Sequence, residues 1–180
     1  MEHLSFGPAL GGVMQVAFVV SDIEREMERF TRAFNVGPFF YLPHFPLLSA
    51  QFRGKPTSPD IDVAMAFSGT TCFELVRQRC QTPSPFLETV ATRGFGLHHF
   101  AVPTRTFDAD VAEREKSGLS LLGSAAVALG GRTAFFDAAS TLGAMLELIE
   151  MTPPVEQIFA MIQAAARDWD GADPVRRLGP

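Results

Sequence analysis

The strongest constraint on the fold of this chain is an internal repeat. Met14-Gln15-Val16-Ala17-Phe18 superposes on His98-His99-Phe100-Ala101-Val102, an offset of 84, and Cys72-Phe73-Glu74-Leu75-Val76 superposes on Met145-Leu146-Glu147-Leu148-Ile149, an offset of 73. Each pair brackets the same succession of elements, so a duplicated supersecondary unit is predicted rather than one irregular domain. In the first copy, Val13–Val20 is β-branched and apolar, and Ser21-Asp22 offers an N-cap. Ile23, Met27, Phe30 and Phe34 then mark one face of a helix that Asn35-Val36-Gly37-Pro38 ends. Phe39–Leu48 is extended, but Pro43 and Pro46 confine it to an edge strand or loop. Arg53–Asp60 reads as an exposed connection, and Ile61–Phe67 and Thr71–Arg77 as two strands around the turn Ser68-Gly69-Thr70. The second copy repeats this order: strand Leu97–Val102, helix Phe107–Ser117, and strands Leu119–Leu129, Arg132–Phe136 and Ala144–Glu150. The difference between the two offsets places about eleven extra residues in the first copy, in the Pro-rich stretch Tyr41–Pro59.

The predicted fold is therefore α+β: two tandem βαβββ modules forming a cupped mixed sheet, plus a C-terminal helix. Residues 1–12 form an N-terminal extension, 13–80 the first module, 81–96 a linker with some helical character, 97–151 the second module, and 152–180 the C-terminal helix and tail. That helix runs from about Val155 to Trp169 with an apolar stripe through Ile158, Phe159 and Ile162, and it docks either on its own sheet or across a dimer. Asp170–Pro180 reads as a weakly fixed tail.

Composition narrows the partners. A net charge of −5 leaves no basic footprint for nucleic acid, and no apolar run is long enough to cross a bilayer. The start Met1-Glu2-His3 has no basic leader, and Cys72 and Cys80 match no metal or redox spacing, so a reducing, cytoplasmic setting is expected. Phenylalanine, at 17 residues against one Tyr and one Trp, points to a Phe-rich core or an apolar pocket.

Four polar residues interrupt the repeated strands at matching places: Gln15 and His99 in the opening strands, Glu74 and Glu147 in the closing strands. Strand alternation puts each among apolar neighbours on one face, Glu74 with Cys72 and Val76, and Glu147 with Met145 and Ile149, while His98 falls on the face opposite His99. Carboxylates buried this way cost several kcal/mol unless compensated. Taken singly, each glutamate could lie on an exposed sheet face and His99 could be a hydrogen-bonded core histidine. Together, two carboxylates, one imidazole and one amide oxygen form an N/O donor set suited to a divalent cation such as Zn²⁺, Ni²⁺, Co²⁺, Mn²⁺ or Fe²⁺.

With Val16–Asp22, Phe34-Asn35-Val36-Gly37-Pro38-Phe39, Gly96-Leu97-His98-His99-Phe100-Ala101 and Leu146-Glu147-Leu148-Ile149, residues 13–150 resemble the vicinal oxygen chelate superfamily, in its glyoxalase I and methylmalonyl-CoA epimerase branch. The resemblance implies that Gln15, Glu74, His99 and Glu147 hold the metal, in the ligand order of animal-type glyoxalase I. Many relatives with the Gly-Pro-Phe phrase carry His where this chain has Gln15. It further implies an isomerase, epimerase or lyase that moves a proton beside a carbonyl through a metal-bound enediolate, with Glu147 and Glu74 as catalytic carboxylates.

The substrate is then a small molecule, either apolar or a thioester or hemithioacetal whose charges would call on Arg53, Lys55, Arg77 or Arg79 at the rim. A homodimer is also implied, with the site inside one chain or between swapped halves of two. The competing readings are a non-catalytic binding module with a decayed metal site, and an iron-dependent oxygenase.

Overall fold

The computed structural model describes residues 2–128 and 130–178. In chain order the elements are β1 (Gln15–Val19), α1 (Ile23–Phe34), β2 (Phe39–Leu42), β3 (Leu47–Phe52), β4 (Lys55–Pro56), β5 (Ile61–Ser68), β6 (Thr71–Gln78) and α2 (Pro85–Arg93). After these come β7 (Gly96–Thr104), α3 (Phe107–Lys116), β8 (Ser120–Val127), β9 (Gly131–Asp137), α4 (Ala139–Leu142), β10 (Met145–Glu150), α5 (Pro153–Arg167) and β11 (Val175–Arg177). The predicted end of the eighth strand, Leu129, lies outside the described residues.

All eleven strands form one mixed sheet in the order β11-β2-β5-β6-β1-β7-β10-β9-β8-β3-β4. The repeat is visible in that order: β2-β5-β6-β1 in one half is matched by β8-β9-β10-β7 in the other, and antiparallel pairing of β1 with β7 joins them. Helices cover the outer face of each half. Asp22 caps α1 by accepting from the Arg25 amide at 3.0 Å, and Asn35 ends it in the left-handed region at φ 53°. Ile23, Met27 and Phe30 of α1 bury against Leu75, Ala64 and Ala66, while Phe107 of α3 joins Val102, Phe136 and Leu148. The inner face is shared by both halves, which is why β5 is buried on both sides along Ile61–Phe67.

Three segments depart from the sequence reading. The Pro-rich insert does not run as one edge strand: Pro43 and Pro46 break it into β2 and β3, and β3 leaves its own half to pair with β8 of the other. The tail is fixed, because Val175–Arg177 pairs in parallel with Phe39–Tyr41 and Trp169 fits against Gly37, where even a Cβ would meet the indole at 2.5 Å. The N-terminal segment is core, with the Phe6 ring stacked on Phe159 of α5 at 5.9 Å and edge-on to Phe67 at 5.7 Å.

Of the two partners open to α5, the structure shows its own sheet. The helix crosses the cup: Val155 lies over Gly131 of β9, where a Cβ would stand 2.9 Å from the Val155 methyl, and Phe159 meets Phe67 of β5. Phe159 and Ile162 are buried there, and burial of this kind is worth about 1.5–3 kcal/mol per large side chain.

Candidate metal centre

Register brings the four polar residues together. In one row Glu74 of β6 faces Ala17 of β1, which faces His99 of β7; in the next, Gln15 faces Ala101, which faces Glu147 of β10. Each row therefore crosses between the halves, and the two fully buried alanines leave the space above them to the longer side chains.

All four converge within one chain. His99 Nε2 lies 2.9 Å from Glu147 Oε2, 3.4 Å from Glu74 Oε2 and 3.3 Å from Gln15 Nε2, and Gln15 Nε2 donates to Glu74 Oε2 at 3.0 Å. Glu147 Oε1 accepts from the Thr133 hydroxyl. Glu147 Oε2, close to His99 but not aligned with it for a hydrogen bond, and Gln15 Oε1 are buried polar atoms without a hydrogen-bond partner.

Burial pushes Glu74 up to about 8, against the opposing pull of His99 and with help from Glu147. Burial alone would lower His99, but Glu147 and then Glu74 outweigh it and raise the imidazole. Cys72 is buried in the shared core beside the site, its thiol raised well above the usual value by burial and by the two glutamates; it does not line the cavity described below.

His98 overturns strict alternation. Ala17 pairs with His99 and Phe18 with Leu97, so His98 is the extra residue of a β-bulge, and the bulge turns both imidazoles to the same side. Their Nδ1 atoms are 2.7 Å apart, and His98 is wedged between Phe86 and Phe135. Burial, then the nearby His99, hold His98 well below the ordinary histidine range, so it is a neutral ring. If His99 keeps Nε2 for a ligand, its Nδ1 carries the proton and His98 Nδ1 accepts it. His98 and Thr133 are the two residues at this site that the sequence reading missed. For Thr133 a signal exists, since it lies two residues along β9 from Phe135, the partner of Glu147.

Among the described residues, no three His, Cys, Asp or Glu side chains stand as a ready-made metal cluster. The fit test rests on all four donors. Ligands about 2.1 Å from a common ion lie about 3.0–3.4 Å from one another; His99 Nε2 stands 2.9, 3.3 and 3.4 Å from Glu147, Gln15 and Glu74, and Gln15 Nε2 stands 3.0 Å from Glu74. A half-turn of the Gln15 amide puts Oε1 where Nε2 stands, converting a donor to Glu74 into a fourth oxygen ligand. The donor set thus fits a divalent cation.

Above the four lies a cavity of about 750 Å³, counted out to its open mouth, walled by apolar residues of both halves and roofed by Val155, Ile158 and Phe159 of α5. The rim cations expected from sequence are elsewhere: Arg53 forms a two-pronged pair with Glu88 and Arg79 pairs with Asp62 at 2.7 Å, while neither Lys55 nor Arg77 lines the cavity. His44 is tied to Asp60.

The fold and this site define a duplicated βαβββ protein with a polar floor beneath a cup. Residues 14–136 match the family model described as Glyoxalase/Bleomycin resistance protein/Dioxygenase superfamily, and the chain belongs to that superfamily. The match stops before β10, which carries Glu147, and before α5. No curated protein matches the chain in sequence.

Among solved structures, it is similar to a hypothetical protein of Bacillus halodurans C-125, with 19% identity, 78% of this chain and 94% of the other covered, and a TM-score of 0.57. It is similar to methylmalonyl-CoA epimerase of Streptomyces coelicolor in complex with 2-nitronate-propionyl-CoA, with 19% identity, coverage of 81% and 97%, and a TM-score of 0.57. The Mycobacterium tuberculosis methylmalonyl-CoA epimerase gives 16% identity, coverage of 82% and 93%, and a TM-score of 0.58. At these identities the likeness is one of fold. No helix among the described residues is long and apolar enough to cross a membrane.

Proposed function

We propose that this protein is a divalent-metal-dependent isomerase, epimerase or lyase that moves a proton beside the carbonyl of a small molecule. The observation that carries this reading is the gathering of Glu147, Gln15 and Glu74 around His99 Nε2, at 2.9, 3.3 and 3.4 Å, at the floor of an apolar cavity. These four side chains hold the ion, which when bound supplies a Lewis acid beside the substrate oxygen, with zinc, nickel, cobalt or manganese favoured over iron by the donor set.

The rest falls to the chain. The apolar walls exclude water and hold the substrate with its carbonyl toward the floor, where fixed polar groups act more strongly than they would in water. Glu74 or Glu147 takes the proton from the adjacent carbon, the C–H electron pair moves into the carbonyl, and the proton returns to the other face or the neighbouring carbon. Glu147 is tied to the Thr133 hydroxyl, while Glu74 accepts from the Gln15 amide. The free thiols Cys72 and Cys80 are in keeping with a cytoplasmic setting. The apolar lining supports a second reading, a module that sequesters an apolar ligand without turning it over.

Metal content decides between them. In protein purified without chelator or nickel resin, plasma mass spectrometry should find about one equivalent of a divalent metal, lost in His99→Ala and in Glu147→Gln. Metal-free protein, or metal unchanged in both variants, would leave the binding module, and iron would point to oxygenase chemistry.

A further inference from the structure

We infer that the cavity takes an uncharged, apolar small molecule with a single polar end, and that α5 is the element that selects it; this rests on the reading of the floor as the reactive centre. Phe45, Leu47, Val63, Phe135, Ile158 and Phe159 build its walls from five different parts of the chain.

Charge argues the same way. Among the described residues that line the cavity, Arg132 is the one cation, and it is already spent: Glu150 accepts from it twice at 2.8 Å, Asp108 accepts at 2.7 and 3.2 Å, and the guanidinium lies 4.5 Å from the Phe107 ring. A phosphate or carboxylate tail entering here would find no free partner and would meet Glu150 at the rim. The floor, by contrast, gathers the polar lining residues Gln15, Glu74, Thr133 and Glu147 in one place. That is provision for one polar end.

Helix α5 closes the site from outside the segment matched by the family model. Its N-terminal Val155 sits on Gly131, and Ile158 and Phe159 face the cavity, so its side chains set the shape of the upper wall.

The test is a fluorescence titration with N-phenylnaphthylamine, a neutral apolar probe, with acetophenone and acetyl-CoA as competitors. Saturable binding is expected, displaced by acetophenone and not by acetyl-CoA at the same concentration. Ile158→Asp and, at the mouth, Phe45→Ser should each weaken it at least about tenfold. Phe34→Ser serves as a control, since Phe34 belongs to a separate exposed groove with Phe18 and Phe95 on the outer face.

Absence of saturable binding, retention in both cavity variants, loss in Phe34→Ser, or displacement by acetyl-CoA ahead of acetophenone would each overturn the inference. Metal assayed on the same samples separates the two claims. Metal without apolar binding refutes this inference alone, and apolar binding without metal refutes the metal reading alone.

Discussion

The two halves of the sheet share a strand order but not a chemistry. Glu147 in the second half is held by Thr133, while the corresponding place in the first half, two residues before the partner of Glu74, is Val63. His99 leans on His98, whereas the residue before Gln15 is the buried Met14. The charges three residues beyond each glutamate are inverted too: Asp62 on β5 faces Arg77 on β6, and Arg132 on β9 pairs with Glu150 on β10. One half thus carries an acid and an imidazole braced by neighbours, and the other an amide and a carboxylate bonded to each other. Duplication supplies two equivalent pairs of positions, and the neighbours of each pair have diverged.

The largest effect expected is complete loss of bound metal on removing the braced side, in His99→Ala or Glu147→Gln. Gln15→His should instead retain metal and bind it more tightly, because imidazole is the stronger ligand; a chelator competition titration measures both. Ile162→Ala tests whether the strap over the halves holds them together, and should cost about 2–5 kcal/mol in urea unfolding, in one transition rather than two.

Thr133→Val makes the second half resemble the first and should weaken metal affinity about 10–100-fold. His98→Met, which copies Met14, should weaken it by about tenfold, with the fold retained by circular dichroism.

The smallest effect is in acid. Burial would raise the Asp62 carboxyl, but the Arg79 hydrogen bond, the His44 amide and the charges of Arg79 and Arg77 hold it below the ordinary range. Its folded value is depressed, so its contribution is full above the unfolded carboxylate value and fades as pH falls through the folded one. Asp62→Asn should therefore be less stable than the parent by about 1 kcal/mol at neutral pH, with the gap closing in acid melting curves.

What could be read from the chain was what repeats or alternates. The helix Ile23–Phe34 and the strand pair around Gly69 follow from local periodicity, and the matching places of Gln15, Glu74, His99 and Glu147 follow from duplication, their grouping from the resemblance to the superfamily. What escaped was set at long range or by a single irregularity. The partner of β3 lies more than sixty residues ahead of it, and nothing in Leu47–Phe52 names β8. One extra residue in β7 reverses the side of His98, and alternation cannot register an insertion it does not see. Val175–Arg177 carries no strand pattern of its own and pairs because β2 leaves an open edge.

The exchange of β3 to the far half also sets an order of events in synthesis. The first half cannot seat its own insert until Ser120–Val127 has been made, and its outer edge stays open until Val175–Arg177 emerges. A nascent chain halted after the first repeat would display an unpaired hairpin and a bare β2 edge, both prone to pair with another chain. The protein should thus mature as a late, concerted closure of the whole sheet, and a gene cut at its point of duplication should yield two insoluble products.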